Sequence, residues 1–407
     1  MNYEEELALS VPLFRLIKEV DMHILMYNWR AFSNDYLLNN LRELGGNVDV
    51  WSDPDILEPT ERAIEKLKTK LKNNYDLVVS FNYFRGVATA CEQTNIPYAA
   101  WTQDAPLWSL YDDTIRSKNN YFFCFDSEQY KHLKEKNIKN VFYLPLGVDV
   151  ERLEKKTVNI TADKRSKYVA DISFVGSLYK DTAMFDDIVA KLSEYSKGYL
   201  YAICNMQLKV PEIRFSEIEI SKEVMRELQR KVSFEGEGYI EVKLKKLFEN
   251  IVDRKVTAIE RNMMVEICRK YQNFKIYTNS SLDEALNKYN QGIVDYYTDM
   301  PLVFNQSKIN INLSARPIHY GIPLRVLDII ASNGFVLTNA QPDLFLYFEE
   351  GKSIATFQCI EELEDKIDYY MDHETERINI RNEGKAIVKS IFDYKTQIKT
   401  IFECVGI

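Results

Sequence analysis

Short apolar runs alternate with amphipathic, charged stretches along the first third of the chain. Met22 to Tyr27 (MHILMY), Val48 to Trp51, Asp76 to Phe81 (DLVVSF), Pro97 to Thr102 (PYAAWT), Tyr121 to Phe125 and Val141 to Leu144 (VFYL) each have the length and composition of a strand. Ser33 to Leu44, Thr60 to Lys72, Arg85 to Thr94 and Ser127 to Lys136 lie between them with helical spacing, and Thr60 supplies an N-cap hydroxyl. Glu4 to Glu19 reads as a leading helix interrupted near Pro12. Strands separated by helices imply βαβ units and a parallel sheet. The pattern predicts a Rossmann-like first domain over residues 1–150.

Val150 to Lys167, charged and without clear periodicity, reads as a linker. A second domain over 168–375 opens with a strand at Asp171 to Val175, a Gly176-Ser177 turn and a helix from Thr182 to Tyr195. Residues 202–255 break the alternation and read as a helical insertion, with helices at Ser221 to Lys231 and Val242 to Val252. Alternation returns with a helix at Ala258 to Tyr271 and strands at Phe274 to Thr278, Ile293 to Tyr297 and Ile309 to Leu313. In the last of these Asn310 and Asn312 alternate with apolar residues at period two. Gly321-Ile322-Pro323 then opens a helix that Asn333-Gly334 ends. Phe335 to Leu337 is a strand with Thr338-Asn339 at its carboxyl end, and another strand lies near Ser353 to Phe357. Helices near Ile360 to Met371, Glu374 to Ser390 and Tyr394 to Cys404 follow, and the tail 376–407 is expected to pack back across the domain junction.

Composition narrows the function classes. A net charge of −9 argues against a general binder of nucleic acid or acidic membrane, since both need a basic surface. Six widely spaced cysteines without a CxxC fit buried thiols in a reducing compartment, and four scattered histidines offer no zinc spacing. The acidic N-terminus resembles no signal or transit peptide, and no apolar run reaches the roughly 18 residues a bilayer span needs. A soluble cytoplasmic protein is expected.

The most site-like stretch is Ser307 to Asp343. Ligands of α/β sheets lie outside the carboxyl ends of strands, and helix N-termini attract phosphate. Gly176 and Ser177 sit at a second such turn, which as a lone motif is equally an ordinary βα turn.

Two α/β domains, this loop and a helical tail fit the GT-B architecture of glycosyltransferases: two Rossmann-like domains facing a cleft. The specific resemblance is to bacterial glycosyltransferases related to the spore-maturation protein CgeB, which carry a C-terminal glycosyltransferase family 1-like domain. It rests on DLVVSFNYF (Asp76 to Phe84), NIPYAAWTQDAP (Asn95 to Pro106), NVFYLPLGVD (Asn140 to Asp149), DISFVGSLY (Asp171 to Tyr179), DMPLVFNQSKININL (Asp299 to Leu313) and GIPLRVLDIIASNGFVLTNAQPDL (Gly321 to Leu344), with the tail from Glu349 to Tyr394. The resemblance spans about four-fifths of the chain, excludes the insertion, and is most specific in the C-terminal run.

The resemblance implies a nucleotide-sugar, with a UDP-sugar expected first, held in the second domain. It places a protein or glycan acceptor in the first domain and chemistry in the cleft. Donor candidates are Gly176, Ser177, Arg316, His319, Gly321, Arg325, Asp328, Thr338 and Asn339. Asp328 would accept from ribose hydroxyls and Arg325 would reach the diphosphate; three apart on a helix, they equally suit an ion pair. Asp104 is the candidate general base, with Asn82 and Tyr83 on the acceptor side, and the trio Tyr83, Trp101 and Trp108 available for stacking. Asp112-Asp113 reads as a solvated turn rather than a metal site, and no cofactor or essential metal is expected. Tyr320 stands where many retaining relatives carry the first of two glutamates. That departure keeps open a non-catalytic nucleotide-sugar-binding partner of another transferase; a sugar-nucleotide epimerase of the same fold is the other alternative. The expected partners exclude nucleic acid and allow a homodimer.

Overall fold

The computed structural model describes residues 22–407, except 30, 32, 58, 159, 180–183, 211–212, 216–219 and 232–239 and the side chains of 184 and 240–244. The leading helix expected at 4–19 lies outside the described residues.

Six strands form the first sheet: β1 His23–Tyr27, β2 Asn47–Trp51, β3 Leu77–Phe81, β4 Tyr98–Trp101, β5 Asn120–Cys124 and β6 Val141–Tyr143. Their order is β2-β1-β3-β4-β5-β6, and every pairing is parallel. All five residues of β3 are buried, as expected where helices cover both faces of a parallel sheet. Thr60 Oγ1 accepts from the Ala63 N–H at 3.3 Å and starts the helix Glu61–Leu71. The helix Arg85–Thr94 ends on Asn95 in the left-handed region, φ 57°.

The second sheet contains β7 Ala170–Val175, β8 Phe274–Tyr277, β9 Ser307–Asn312, β10 Val336–Asn339 and β11 Ala355–Phe357, in the order β11-β10-β9-β7-β8 and again parallel. Period two in β9 does not mark an exposed face. Asn310 and Asn312 are both buried. Asn310 Nδ2 donates to the carbonyls of Phe304 and Phe335 at 3.0 Å, and its Oδ1 accepts from Ser173 Oγ at 2.8 Å. Asn312 Nδ2 donates to Thr338 Oγ1 at 2.9 Å. These amides are tolerated in the core because they are hydrogen-bonded there.

Several expected elements are corrected. The expected linker at 150–167 is two helices, Val150–Val158 and Ala162–Tyr168, the second capped by Thr161. The helix expected from Thr182 to Tyr195 is a short helix, Met184–Val189, followed by a new one, Glu194–Lys209, which Ser193 caps. Helices expected to be separate at 242–252 and 258–271 are one 29-residue helix, Ile240–Cys268. Asp253 to Thr257 contains no glycine or proline to stop it. Ile293 to Tyr297 is not a strand: Ile293 is 76% exposed, and Asp295 Oδ1 caps a turn through the N–H groups of Tyr297 and Thr298.

The last helix, Tyr394–Val405, packs on the first-domain helix Asn34–Glu43. Val148 donates to Phe392 O at 2.8 Å and accepts from Tyr394 N at 3.2 Å. The Tyr394 ring lies edge-on to Trp101. A Cβ at Gly147 would stand 3.0 Å from both rings, so glycine permits this approach. Among the described residues, no helix is long and apolar enough to cross a membrane.

Candidate functional site

The carboxyl ends of β9, β10 and β11 open onto a cavity of about 470 Å³ lined by Ser314, Arg316, His319, Asn339, Gln341 and Phe357, among others. The loop after β9 is held in place when the Ser314 N–H donates to Asn339 Oδ1 at 2.7 Å. The long helix Ile240–Cys268 contributes Asp253 and Glu260 to the same cavity, and Gln207 and Arg214 also line it. Glu260 aims the Arg316 guanidinium: Nε donates to Oε2 at 2.9 Å, and the second fork nitrogen meets Oε1. The Arg316 N–H donates to Thr257 Oγ1 at 2.9 Å.

His319 joins the two domains at the rim. Its ring nitrogens meet Glu128 of the first domain and Asp253 of the second, and Arg214 pairs with Glu128 at 3.1 Å. Burial alone would lower the His319 pKa, but the hydrogen bonds to Asp253 and Glu128 outweigh it and lift the value to about 9. Burial works against ionisation of Glu128 too; His319 and Arg214 overcome it and hold the carboxyl at about 2. A raised histidine contributes stability in full below its unfolded value of 6.5, and that contribution is lost as pH rises through about 9. Thermal unfolding between about pH 7 and 9.5 should therefore show a loss of about 2 kcal/mol in wild type that His319→Gln does not show.

Beside it, Asp126 Oδ2 accepts from the N–H groups of Tyr320 and Gly321 at 3.1 and 2.9 Å. Ser127 donates through its N–H and hydroxyl to Asp343. Burial, reinforced by the Asp126 charge, pushes the Asp343 carboxyl up to about 7.

A second cavity, of about 670 Å³, lies between the domains. Trp29, Asn82, Asp104 and Trp108 line its first-domain side; Tyr179, Arg254, Ala315 and Ile318 line the other. Ile318 borders both cavities. Asp104 is exposed at the carboxyl side of β4, and Asn82 Nδ2 donates to its carboxylate at 2.7 Å. Asn82 adopts φ 60°, and its Oδ1 accepts from the N–H groups of Gln103 and Asp104, fixing the loop. The carboxylate is thus exposed and oriented within the interdomain space.

Known structures share this two-sheet fold. Sucrose-phosphate synthase from Thermosynechococcus elongatus superposes with TM-score 0.55 at 8% identity, over 95% of this chain and 99% of that one. Anabaena Alr3699/HepE in complex with UDP and glucose gives 0.53 at 10%, over 95% and 99%. A glycosyltransferase from Rickettsia africae ESF-5 gives 0.53 at 12%, over 95% and 98%. The fold is GT-B. Residues 254–403 match the sequence model of a family described as Glycosyl transferase-like. No curated protein matches the chain.

Within the GT-B frame, Arg316, His319 and Asn339 meet in the second-domain cavity, and Asn82, Tyr83 and Asp104 in the cleft. Gly176 and Ser177 end β7, where Ser177 O accepts from Arg261. Other candidates are placed elsewhere. Gly321 packs on Phe125 and Asp126, and its N–H serves that carboxylate. Thr338 is fully buried as the acceptor of Asn312. Arg325 and Asp328 are paired at 3.7 Å and line neither cavity. Arg325 lies over the Phe304 ring and meets Met300, while Asp328 accepts from Tyr296 OH at 3.2 Å. Burial raises the Asp328 carboxyl to about 6 against the opposing effects of Arg325 and Tyr296. The two residues thus form the ion pair that their spacing also allows. Tyr83 is buried with its hydroxyl on Thr114, and Trp101 is core, its Nε1 donating to Leu144 O, so Trp108 is the member of the trio placed for stacking. Asp112 caps the turn at Thr114 as expected.

Sequence reading missed Asp126, Glu128, Arg214, Asp253, Arg254 and Glu260. Asp253 and Glu260 share one face of a long helix with Thr257, and Arg254 lies on the adjacent face toward the interdomain cavity; the spacing is visible in the sequence but hidden by the break expected near 255.

Proposed function

We propose that the protein is a nucleotide-sugar-dependent hexosyltransferase, with a UDP-sugar as the first donor to test and a hydroxyl on a protein or surface glycan as acceptor. The observation that carries the reading is the pair of adjoining cavities: one at the strand ends of the second domain, one in the cleft with an oriented carboxylate on the opposite wall. The donor's nucleoside fits the first, beside Arg316, His319 and Asn339. The acceptor hydroxyl lies in the second, where Asp104 takes its proton as the new bond to the anomeric carbon forms and the bond to the diphosphate oxygen breaks. Asn82 orients Asp104 through their 2.7 Å hydrogen bond. Cationic side chains offset the charge of the leaving diphosphate, and the proposal uses no metal.

Tyr320 supports a second reading, a nucleotide-sugar-binding partner without turnover. It stands at the position of an expected acid, 38% exposed, with the Arg214 guanidinium over its ring. Release of free nucleotide from a UDP-sugar separates the readings. A transferase releases it; an epimerase isomerises the sugar with the nucleotide attached; a binding partner does neither.

A further inference from the structure

Around the cleft, the arginines are paired unequally. Arg316 meets Glu260, Arg214 meets Glu128 and Arg325 meets Asp328. Arg254 is exposed, lines the interdomain cavity and meets no carboxylate among the described residues; its Nε donates to Asn250 Oδ1 at 3.2 Å. Two helical turns on, Arg261 also lacks an ion pair among the described residues. Its terminal nitrogens donate to the carbonyls of Ser177 and Leu313, joining the carboxyl ends of the central strands β7 and β9, and its Nε is closed off from solvent without a partner. Both guanidinium groups lie over the Tyr179 ring, with centroid distances of 5.7 Å for Arg254 and 4.8 Å for Arg261. Tyr179 holds φ 57° in the turn that follows β7.

Two guanidinium groups on one aromatic ring repel each other in the absence of an anion, and a cavity wall of partly excluded water strengthens both that repulsion and the attraction for a counter-charge. Planar guanidinium suits phosphate oxygens, and the carboxyl ends of central strands are where α/β folds receive them.

We propose that Arg254, Tyr179 and Arg261 form an anion subsite on the second-domain wall of the cleft, which takes the diphosphate of the donor. Arg254 touches the phosphate oxygens. Arg261 is a positioning residue: it fixes Tyr179 and the two strand ends, and adds positive potential from beneath. The inference rests on the nucleotide-sugar reading and adds to it a ligand from the long helix instead of the Arg325 expected from sequence. A phosphate carried by an acceptor has the same chemistry and is the competing source.

Calorimetric titration of the full chain with UDP, UMP and inorganic pyrophosphate tests it, using wild type, Arg254→Gln and Arg254→Lys. Arg254 is exposed, so its substitution leaves the core untouched, and unchanged thermal unfolding verifies this. Wild type should bind UDP about 10- to 100-fold more tightly than UMP, the range of one charged hydrogen-bonded contact. That gap should close in Arg254→Gln and partly return in Arg254→Lys, with pyrophosphate binding following the same order. UDP and pyrophosphate affinities unchanged in Arg254→Gln overturn the subsite while leaving the nucleotide reading intact. Pyrophosphate binding that depends on Arg254 in a chain that binds no nucleotide keeps the anion subsite and removes the nucleotide reading. Pyrophosphate that binds equally well under saturating UDP overturns the donor assignment and gives the subsite to the acceptor.

Discussion

Replacing Asp104 with asparagine is expected to lower nucleotide release in the presence of acceptor by about 10²- to 10⁴-fold while UDP affinity stays within about twofold. The size of the effect follows from the role. Proton removal from the attacking hydroxyl contributes only in the transition state, so kcat falls and donor binding does not. The separation follows from geometry: Asp104 lines the interdomain cavity and is absent from the one at the strand ends of the second domain. Asparagine keeps the side-chain shape and can still meet Asn82, so the loop at Gln103 and Asp104, fixed by Asn82 Oδ1, is retained. A variant with full turnover would remove Asp104 from the mechanism; one with weakened UDP binding would place it at the donor instead.

The second large effect is at Arg316. Its partner Glu260 has a side chain only 6% exposed, against 23% for Arg316. Arg316→Ala leaves that carboxylate buried without its fork, and the fold should lose about 2–3 kcal/mol, at the low end for a broken buried pair because Arg316 is partly solvated. Donor affinity should fall as well. Stability and binding are separated by the double replacement Arg316→Met with Glu260→Leu, which removes both charges and should recover most of the stability in urea unfolding. Donor affinity that remains low in the double variant assigns Arg316 a contact with the ligand. Affinity that returns with stability makes the pair structural.

The alternation of apolar runs and helices was enough to place both sheets, because parallel strands buried on two faces leave continuous apolar stretches that few other elements mimic. β1 to β6 are found within a residue or two of their expected positions. Reading failed where tertiary context decides. Asn310 and Asn312 sit in a central strand, and their burial depends on partners at Ser173 and Thr338, far away in sequence. Helix Ile240–Cys268 was divided in two because its residues alternate between facing the cavity, as Asp253 and Glu260 do, and facing the core, as Val252 and Val256 do. The site shows the same division. Asp104 follows β4 and Asn339 ends β10, and these positions alone bring them to the two cavities. For Arg325 and Asp328 the resemblance implies a donor role and the helical spacing an ion pair, and neither says which way the helix face turns; here it turns to Tyr296, Met300 and Phe304. The Gly321 N–H is an anion donor, and the anion it meets in the structure belongs to the first domain, Asp126.

The claim on which the whole account depends is that the second domain binds a nucleotide. Thermal unfolding of the wild-type chain with UDP, GDP, CDP and dTDP tests it directly. A ligand present at about 100 times its Kd adds about 2.7 kcal/mol to the folded state. The account predicts a clear rise in the unfolding temperature with UDP, larger than with the other three. No rise with any of the four at roughly millimolar concentration, where a micromolar site would be saturated, would contradict it.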